Sequence, residues 1–350
     1  MSRSLSLIIV VSSLLLSACV APPPTTQEAP IAAAAAPTPA PRLETSAPSP
    51  AQTPTSTAPA SASTTAPAKA RDISVEALMN ATYSGIYDEP ITLTKGLYEG
   101  APFVVGGASR PTVAYIDGTE LQGDLDADGV KDAVVFLLER GGGSGAFTYV
   151  AAQLNRDGRP VDAGAVRIED RIGVRSAAIE GGQVVLDLIL QGPGDVACCG
   201  THNARKTYAL QGGRLVETTA AGGDLVKVSA ADLNGTRWTL LELNEGQPVP
   251  SDAQATISFQ DGPPSVSGSG GCNSYTGSFS LDGVNPFAMT MGPVVATRKA
   301  CPDPIASQET AYFTALGRVS QWAYVYGRLA LYYKDDSGKL NRLLFAPATK

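Results

Sequence analysis

The chain has 350 residues, a formal net charge of −7 and only 17% charged residues, with one histidine and five cysteines. No basic run interrupts that acidic balance, which excludes nucleic acid as a charge-driven partner. There is no Ser-His-Asp set, metalloprotease motif, nucleotide fingerprint or acid/base carboxylate couple, so the sequence reads as non-enzymatic.

The first segment is an export signal. Arg3 precedes an apolar stretch of about a dozen residues, too short for a permanent membrane span. It ends in Leu14-Leu15-Leu16-Ser17-Ala18-Cys19, and Leu-Ser-Ala-Cys resembles the bacterial lipobox. That resemblance implies a signal peptide over 1–18, cleavage after Ala18, and a diacylated Cys19 as the first mature residue. Val20 is not the aspartate associated with inner-membrane retention. The expected location is therefore the outer membrane, lipid-anchored and facing the periplasm, with the inner membrane and the cell surface as alternatives.

Residues 19–70 read as a disordered tether. Ala, Pro, Thr and Ser fill it, and Glu28, Arg42, Glu44 and Lys69 are its charges. Such a composition buries too little apolar surface to offset its ordering entropy. About fifty residues would reach ~150 Å as polyproline and average ~40 Å as a coil, clear of the lipid headgroups either way.

About 280 residues remain to fold, more than one core usually holds. The expected organisation is mainly β (α+β), two small antiparallel β-rich domains spanning 71–225 and 231–348. The boundary is placed in Ala220-Ala221-Gly222-Gly223 or slightly later, near Ala230.

In the first domain, Ser74 is positioned to cap a short helix through Val75–Ala81. Further on stands Gly123-Asp124-Leu125-Asp126-Ala127-Asp128-Gly129-Val130-Lys131-Asp132, followed by an apolar strand over Ala133–Leu138. Asp124, Asp126, Asp128 and Asp132, with the Val130 carbonyl, can converge on one hard cation such as structural calcium. An EF-hand is excluded because Val135 stands where the bidentate glutamate belongs. The loop resembles the calcium loops of integrin-type repeats, but a single copy argues against a propeller. The plain alternative is a solvated turn between strands.

Arg140-Gly141-Gly142-Gly143-Ser144-Gly145 lacks the Lys-Ser/Thr of a phosphate loop and reads as a hairpin connection. Ala178–Leu186 and Tyr208–Val216 each read as two strands about a Gly-Gly turn. Between them, Gly194–His202 holds Cys198, Cys199 and the lone His202. Adjacent cysteines can close a strained ring, and an oxidised structural role is preferred over a metal or redox role. The segment looks like the double-cysteine stretch of several exported bacterial lipoproteins.

The second domain opens on Leu233-Asn234-Gly235-Thr236-Arg237-Trp238-Thr239-Leu240 and continues through Ile257-Ser258-Phe259. Then come Val266–Gly277, with its Gly-Gly-Cys272-Asn core, Met289-Thr290-Met291 and Thr297–Pro302. A helix starting at Asp303 and Pro304 follows, spacing Ile305, Tyr312, Phe313, Leu316 and Val319 along one face. In this ordered set the chain resembles the META domain, the HslJ-like family of bacterial envelope proteins. The resemblance implies a small antiparallel β fold with a helix packed on the sheet, and a location rather than a reaction. Trp238, Phe259, Tyr275, Phe279 and Phe287 supply its core.

After acylation of Cys19 four cysteines remain, with three pairings possible on paper. Cys272 and Cys301 are the natural disulfide pair within the META-like segment. Closing that loop would stabilise the fold by ~3–4 kcal/mol.

The expected role is a binding or structural one in envelope integrity or stress tolerance, through an envelope protein or cell-wall partner. One alternative is a thiol-redox or hydrolytic centre at Cys198, Cys199 and His202. Another is a pilot or assembly lipoprotein with an apolar groove between helix 304–320 and its sheet.

Overall fold

The computed structural model describes residues 71–143, 145–196, 200–219, 223–244, 246–250 and 254–348. Cys19, the tether, Cys198 and Cys199 lie outside the described residues. The described chain is mostly antiparallel β, and no helix in it is long and apolar enough to cross a membrane.

Ser74 caps helix α1 (Val75–Leu78), its hydroxyl accepting from Ala77 N–H at 3.1 Å. The central strands of the first module are β1 (Asp132–Arg140), β2 (Phe147–Arg156) and β3 (Arg159–Asp170). They pair in that order, extended beyond β1 by Thr112–Tyr115 and Leu97–Glu99. β1 is almost continuously apolar because both of its faces are covered. Val134 and Phe136 enter one core, while Ala133, Val135 and Leu137 enter another with Leu78, Tyr83 and Val113.

The sheet facing Val134 and Phe136 is built from β4 (Gly173–Glu180), β5 (Gln183–Leu190), β6 (His202–Gln211) and β7 (Arg214–Glu217). Its order is β7-β6-β5-β4, and Leu186, Leu188 and Tyr208 fill the shared core. Gly181-Gly182 and Gly212-Gly213 make the two hairpin turns with φ of 56°, 78°, 60° and 76°. Consecutive left-handed residues match the twist of the flanking strands, and glycine adopts them without strain.

The second module begins with β8 (Arg237–Asn244), β9 (Thr256–Phe259), β10 (Ser265–Ser269), β11 (Ser274–Leu281) and β12 (Met289–Met291). Helix α2 (Ile305–Leu316) follows, then β13 (Val319–Val325), β14 (Arg328–Lys334) and β15 (Leu340–Pro347). The order is β12-β11-β10-β9-β8-β15-β14-β13. A bridge between Ala288 and Gln321 brings the two ends together, so the sheet curls on itself. Tyr312, Ala315 and Leu316 of α2 pack into its core beside Trp238, Phe259, Tyr275 and Phe279.

Val319 corrects one expectation. It opens β13 rather than extending the helix, because α2 stops at Leu316 and Gly317. From Gln321 onward the burial alternates, with Trp322 and Tyr324 inward and Ala323 and Val325 partly outward, a period no helix can satisfy.

The two modules share an interface centred on the β13–β14 turn. Gly327 N–H donates to the Val174 carbonyl at 2.8 Å, and the Tyr326 ring lies 5.4 Å from that of Phe136. Arg175 pairs with Asp232 at 2.8 Å, and the Tyr324 hydroxyl donates to the Asp232 carbonyl at 2.9 Å.

Candidate functional site

The Gly-rich stretch before Cys272 closes around a buried carboxylate. Glu309, one turn into α2, accepts through Oε1 from Asn273 N–H at 2.6 Å and Cys272 N–H at 3.2 Å. Its Oε2 accepts from Asn273 Nδ2 at 2.7 Å. Asn273 Oδ1 in turn accepts from the Thr297 hydroxyl and Lys299 N–H, each at 2.8 Å. A Cβ on Gly270 would lie 2.6 Å from Glu309 Oε1 and 2.7 Å from the Phe313 ring, so only glycine lets the helix approach. Cys272 and Cys301 form a disulfide with Cα atoms 6.3 Å apart. Every polar atom of this cluster that faces inward is spent on holding the loop.

The aspartate loop has a different economy. Asp124 Oδ2 accepts from Gly129 N–H at 2.9 Å, and Asp128 Oδ1 from Val130 N–H at 2.8 Å. One oxygen each of Asp124, Asp126 and Asp128 lies within 4.8 Å of the others. Arg156, the last residue of β2, straddles the outer pair at 2.8 Å to Asp126 and 2.9 Å to Asp128. Its hydrogen bond holds the Asp126 carboxyl below the usual carboxylate range, against the opposing effect of burial. Asp124 Oδ1 is buried and has no hydrogen-bond partner. An orphaned carboxylate oxygen amid three converging acids fits a hard cation.

Asp132 is not part of that convergence, which corrects the five-ligand set. It is buried at the base of the loop and accepts from Leu125 N–H and Asn155 N–H, both at 2.8 Å. Burial pushes its carboxyl up, only partly countered by those two backbone donors. Its place in the spacing is real, but its job is to pin the loop to β2.

His202 is drawn into a third cluster. Its Nδ1 lies 3.2 Å from Asp195 Oδ2, and Asp195 also accepts from Gly192 N–H at 2.9 Å and Thr201 N–H at 2.8 Å. The Thr201 hydroxyl donates to Asp195 Oδ1 at 2.6 Å. Burial would raise the Asp195 carboxyl, but the Thr201, Gly192 and His202 donors outweigh it and hold the group far below the usual range. One carboxylate thus ties both ends of the 192–202 loop together. Arg140 and Phe147 end and begin the strands around the triple-glycine connection, as a hairpin requires.

Beside that loop a trough of about 670 Å³ runs between the modules. Asp195, Val196 and Lys227 line one wall, and Val284, Phe287 and Ala323 are among the residues of the other. The opening between α2 and the sheet, about 390 Å³, is lined largely by polar groups, among them Asn244, Arg318, Asp335 and Asn341, and is not an apolar groove.

These features define a β-rich protein whose C-terminal module is a curled antiparallel sheet capped by one helix and tied by a disulfide. Residues 231–348 match the META domain family, so a META domain forms the C-terminal third of the chain. The chain is also similar to the NMR structure of a protein from Burkholderia xenovorans, at 26% identity over 38% of this chain and 96% of that one, with a TM-score of 0.28. No curated protein matches the sequence.

Glu309, Arg156 and Asp195 were not singled out by sequence reasoning. Glu309 alone carried a signal: it sits four residues after Ile305 and three before Tyr312, an acid inside an apolar stripe.

Proposed function

We propose that this protein is a non-enzymatic lipoprotein of the bacterial cell envelope, with a binding or structural role in envelope integrity or stress tolerance. The carrying observation is Leu16-Ser17-Ala18-Cys19 followed by an Ala/Pro/Thr/Ser tether ahead of the META-bearing body. The acyl chains of Cys19 hold the protein on the outer membrane, and the tether lets the two β modules reach a protein or cell-wall partner in the periplasm.

Supporting the non-enzymatic reading, Cys272 and Cys301 are paired and Glu309 and Asp195 are committed to backbone donors. Metabolic labelling with palmitate tests the anchor. The wild-type chain is expected to take up label and follow the membrane fraction, while Cys19→Ser takes none and is released. A Cys19→Ser chain that still sediments with membranes overturns this assignment.

A structural calcium is a second element of the proposal, favoured by the orphaned Asp124 oxygen. Asp124, Asp126 and Asp128 would hold the ion, with Arg156 as the competing positive charge.

A further inference from the structure

One end of the first sheet carries a finger. Residues 100–111 extend beyond the paired strands Leu97–Glu99 and Thr112–Tyr115. Gly100 N–H donates to the Pro111 carbonyl at 2.8 Å, Phe103 N–H to the Ser109 carbonyl at 3.1 Å, and Gly107 N–H to the Val104 carbonyl at 2.8 Å. The finger thus holds its own shape, and contact with a partner costs it little further ordering. At its tip three consecutive apolar side chains stand in solvent, Phe103 at 57%, Val104 at 72% and Val105 at 102% exposure. A Cβ on Gly142 would overlap the Phe103 ring, so the glycine connection between β1 and β2 is what lets the finger lean on it. Single apolar residues scattered on a surface need no explanation, but a continuous run at a projecting tip does.

The same end lacks free acids. Neither 100–111 nor 140–145 contains a carboxylate, whereas Arg110 and Arg140 stand at their bases and make no ion pair among the described residues. Of the acids closest in sequence, Glu139 is buried and accepts from the Tyr87 hydroxyl at 3.2 Å, and Asp170 pairs with Arg171 at 2.6 Å. Glu99 is exposed and precedes the finger at its root. In a chain of net charge −7 this is a local positive end.

The chain enters the folded body at the opposite end of that sheet. The Arg71 carbonyl accepts from Asn155 Nδ2 at 2.8 Å, beside the far end of β2. β2 runs from Phe147 to Arg156, so roughly 30 Å separates the entry point from the finger. The segment between Cys19 and Arg71 averages ~40 Å as a coil, long enough for the finger to reach the surface that holds Cys19.

We propose that the finger inserts into an anionic phospholipid surface. Phe103, Val104 and Val105 enter the boundary between headgroups and acyl chains, and Arg110 and Arg140 meet lipid phosphates. An apolar tip with cations at its base matches the two layers of a leaflet, anionic outside and apolar beneath. Docking stands the first sheet on end, with its entry at Arg71 held away from the lipid. The inference rests on the envelope location proposed above but not on acylation of Cys19.

The test mixes the chain from residue 19 onward, carrying Cys19→Ser, with vesicles of phosphatidylcholine alone or with an equal part of phosphatidylglycerol. The acyl anchor is absent from both arms, so its failure and the failure of the finger are separate results. The chain should sediment with the mixed vesicles. Val104→Asp with Val105→Asp, both on the exposed tip, should weaken that binding at least about tenfold. Arg110→Gln with Arg140→Gln should weaken it at least about fivefold on the mixed vesicles and leave the neutral ones unchanged. Tryptophan emission of Val105→Trp should shift to shorter wavelength when the mixed vesicles are added. No sedimentation, binding indifferent to the tip substitutions, or an unshifted Val105→Trp emission overturns the proposal. So does concentration-dependent self-association that the tip substitutions remove, since the finger would then belong to a second copy of the chain.

Discussion

The loop before Cys272 and the loop after Gly123 are both tight, glycine-bearing and organised by carboxylates, yet they are stabilised in opposite ways. In the META module a single acid, Glu309, arrives from a helix 36 residues away and satisfies donors on the loop itself. In the aspartate loop the acids are the loop, and they cap its own amides at separations of two to five residues. A distant acid closes its loop by burial and leaves no charge on the surface. Local acids shape the turn but accumulate negative charge, which something outside must balance.

The largest break in this comparison comes from the disulfide. Replacing Cys272 and Cys301 together by serine opens a crosslink spanning 29 residues and should cost ~3–4 kcal/mol in urea unfolding. Glu309→Ala comes next at about 2–3 kcal/mol, since it removes the acceptor of the Cys272 and Asn273 N–H groups and leaves Asn273 Nδ2 only its longer contacts to the Lys299 carbonyl and Cys301 Sγ. Glu309→Gln keeps one acceptor oxygen and should recover part of that loss. If Glu309→Ala costs under ~1 kcal/mol, the carboxylate is not what closes the loop.

What could be read in advance follows the same division between local and distant partners. The Gly-Gly hairpins at 181–182 and 212–213, the Ser74 cap and the convergence of Asp124, Asp126 and Asp128 depend on neighbours in sequence, and each was legible. The META fold was legible through resemblance, because Trp238, Cys272-Asn273 and Cys301 stand in a recognisable order. Arg156 lies 30 residues from Asp126, and Arg175 lies 57 from Asp232, so no short-range pattern announces either pair. Val319 was misplaced for a related reason. Its spacing from Leu316 suits a helical face, and only the alternation through Trp322 and Tyr324, read after Gly317, shows the change to a strand.

The Asp195 cluster sharpens the comparison, because it is a local acid that is nonetheless buried. Asp195→Asn should cost about 1–2 kcal/mol near neutral pH, through weaker bonds to Gly192, Thr201 and His202. The sign with pH is fixed. The folded carboxyl lies below its unfolded value of about 3.9, so its stabilisation is complete above that value and is lost as pH falls. The gap between wild type and Asp195→Asn should therefore hold steady above about pH 5 and narrow progressively as pH falls below it. Asp132, whose carboxyl is raised, acts in the opposite sense but is common to both chains and cancels in the difference. A gap that is constant with pH would show that Asp195 contributes shape rather than charge.

The smallest expected stability change carries the sharpest charge test. The Arg156 side chain is 47% exposed and its two ion pairs are solvated, so Arg156→Ala should change the stability of the fold little by itself. Its effect on cation binding should be larger and of opposite sign. Removing the guanidinium leaves Asp126 and Asp128 uncompensated beside Asp124, whose buried oxygen is already without a partner. Calcium would then meet three acids with no competing charge. Isothermal titration with calcium chloride should give tighter binding to Arg156→Ala than to wild type, and the variant should gain more in melting temperature when calcium is added. Absence of binding heat in both chains would mean that Arg156 is the loop's own counter-ion and that no metal is needed. Weaker binding in the variant would mean that the arginine orders the carboxylates for the ion instead of competing with it.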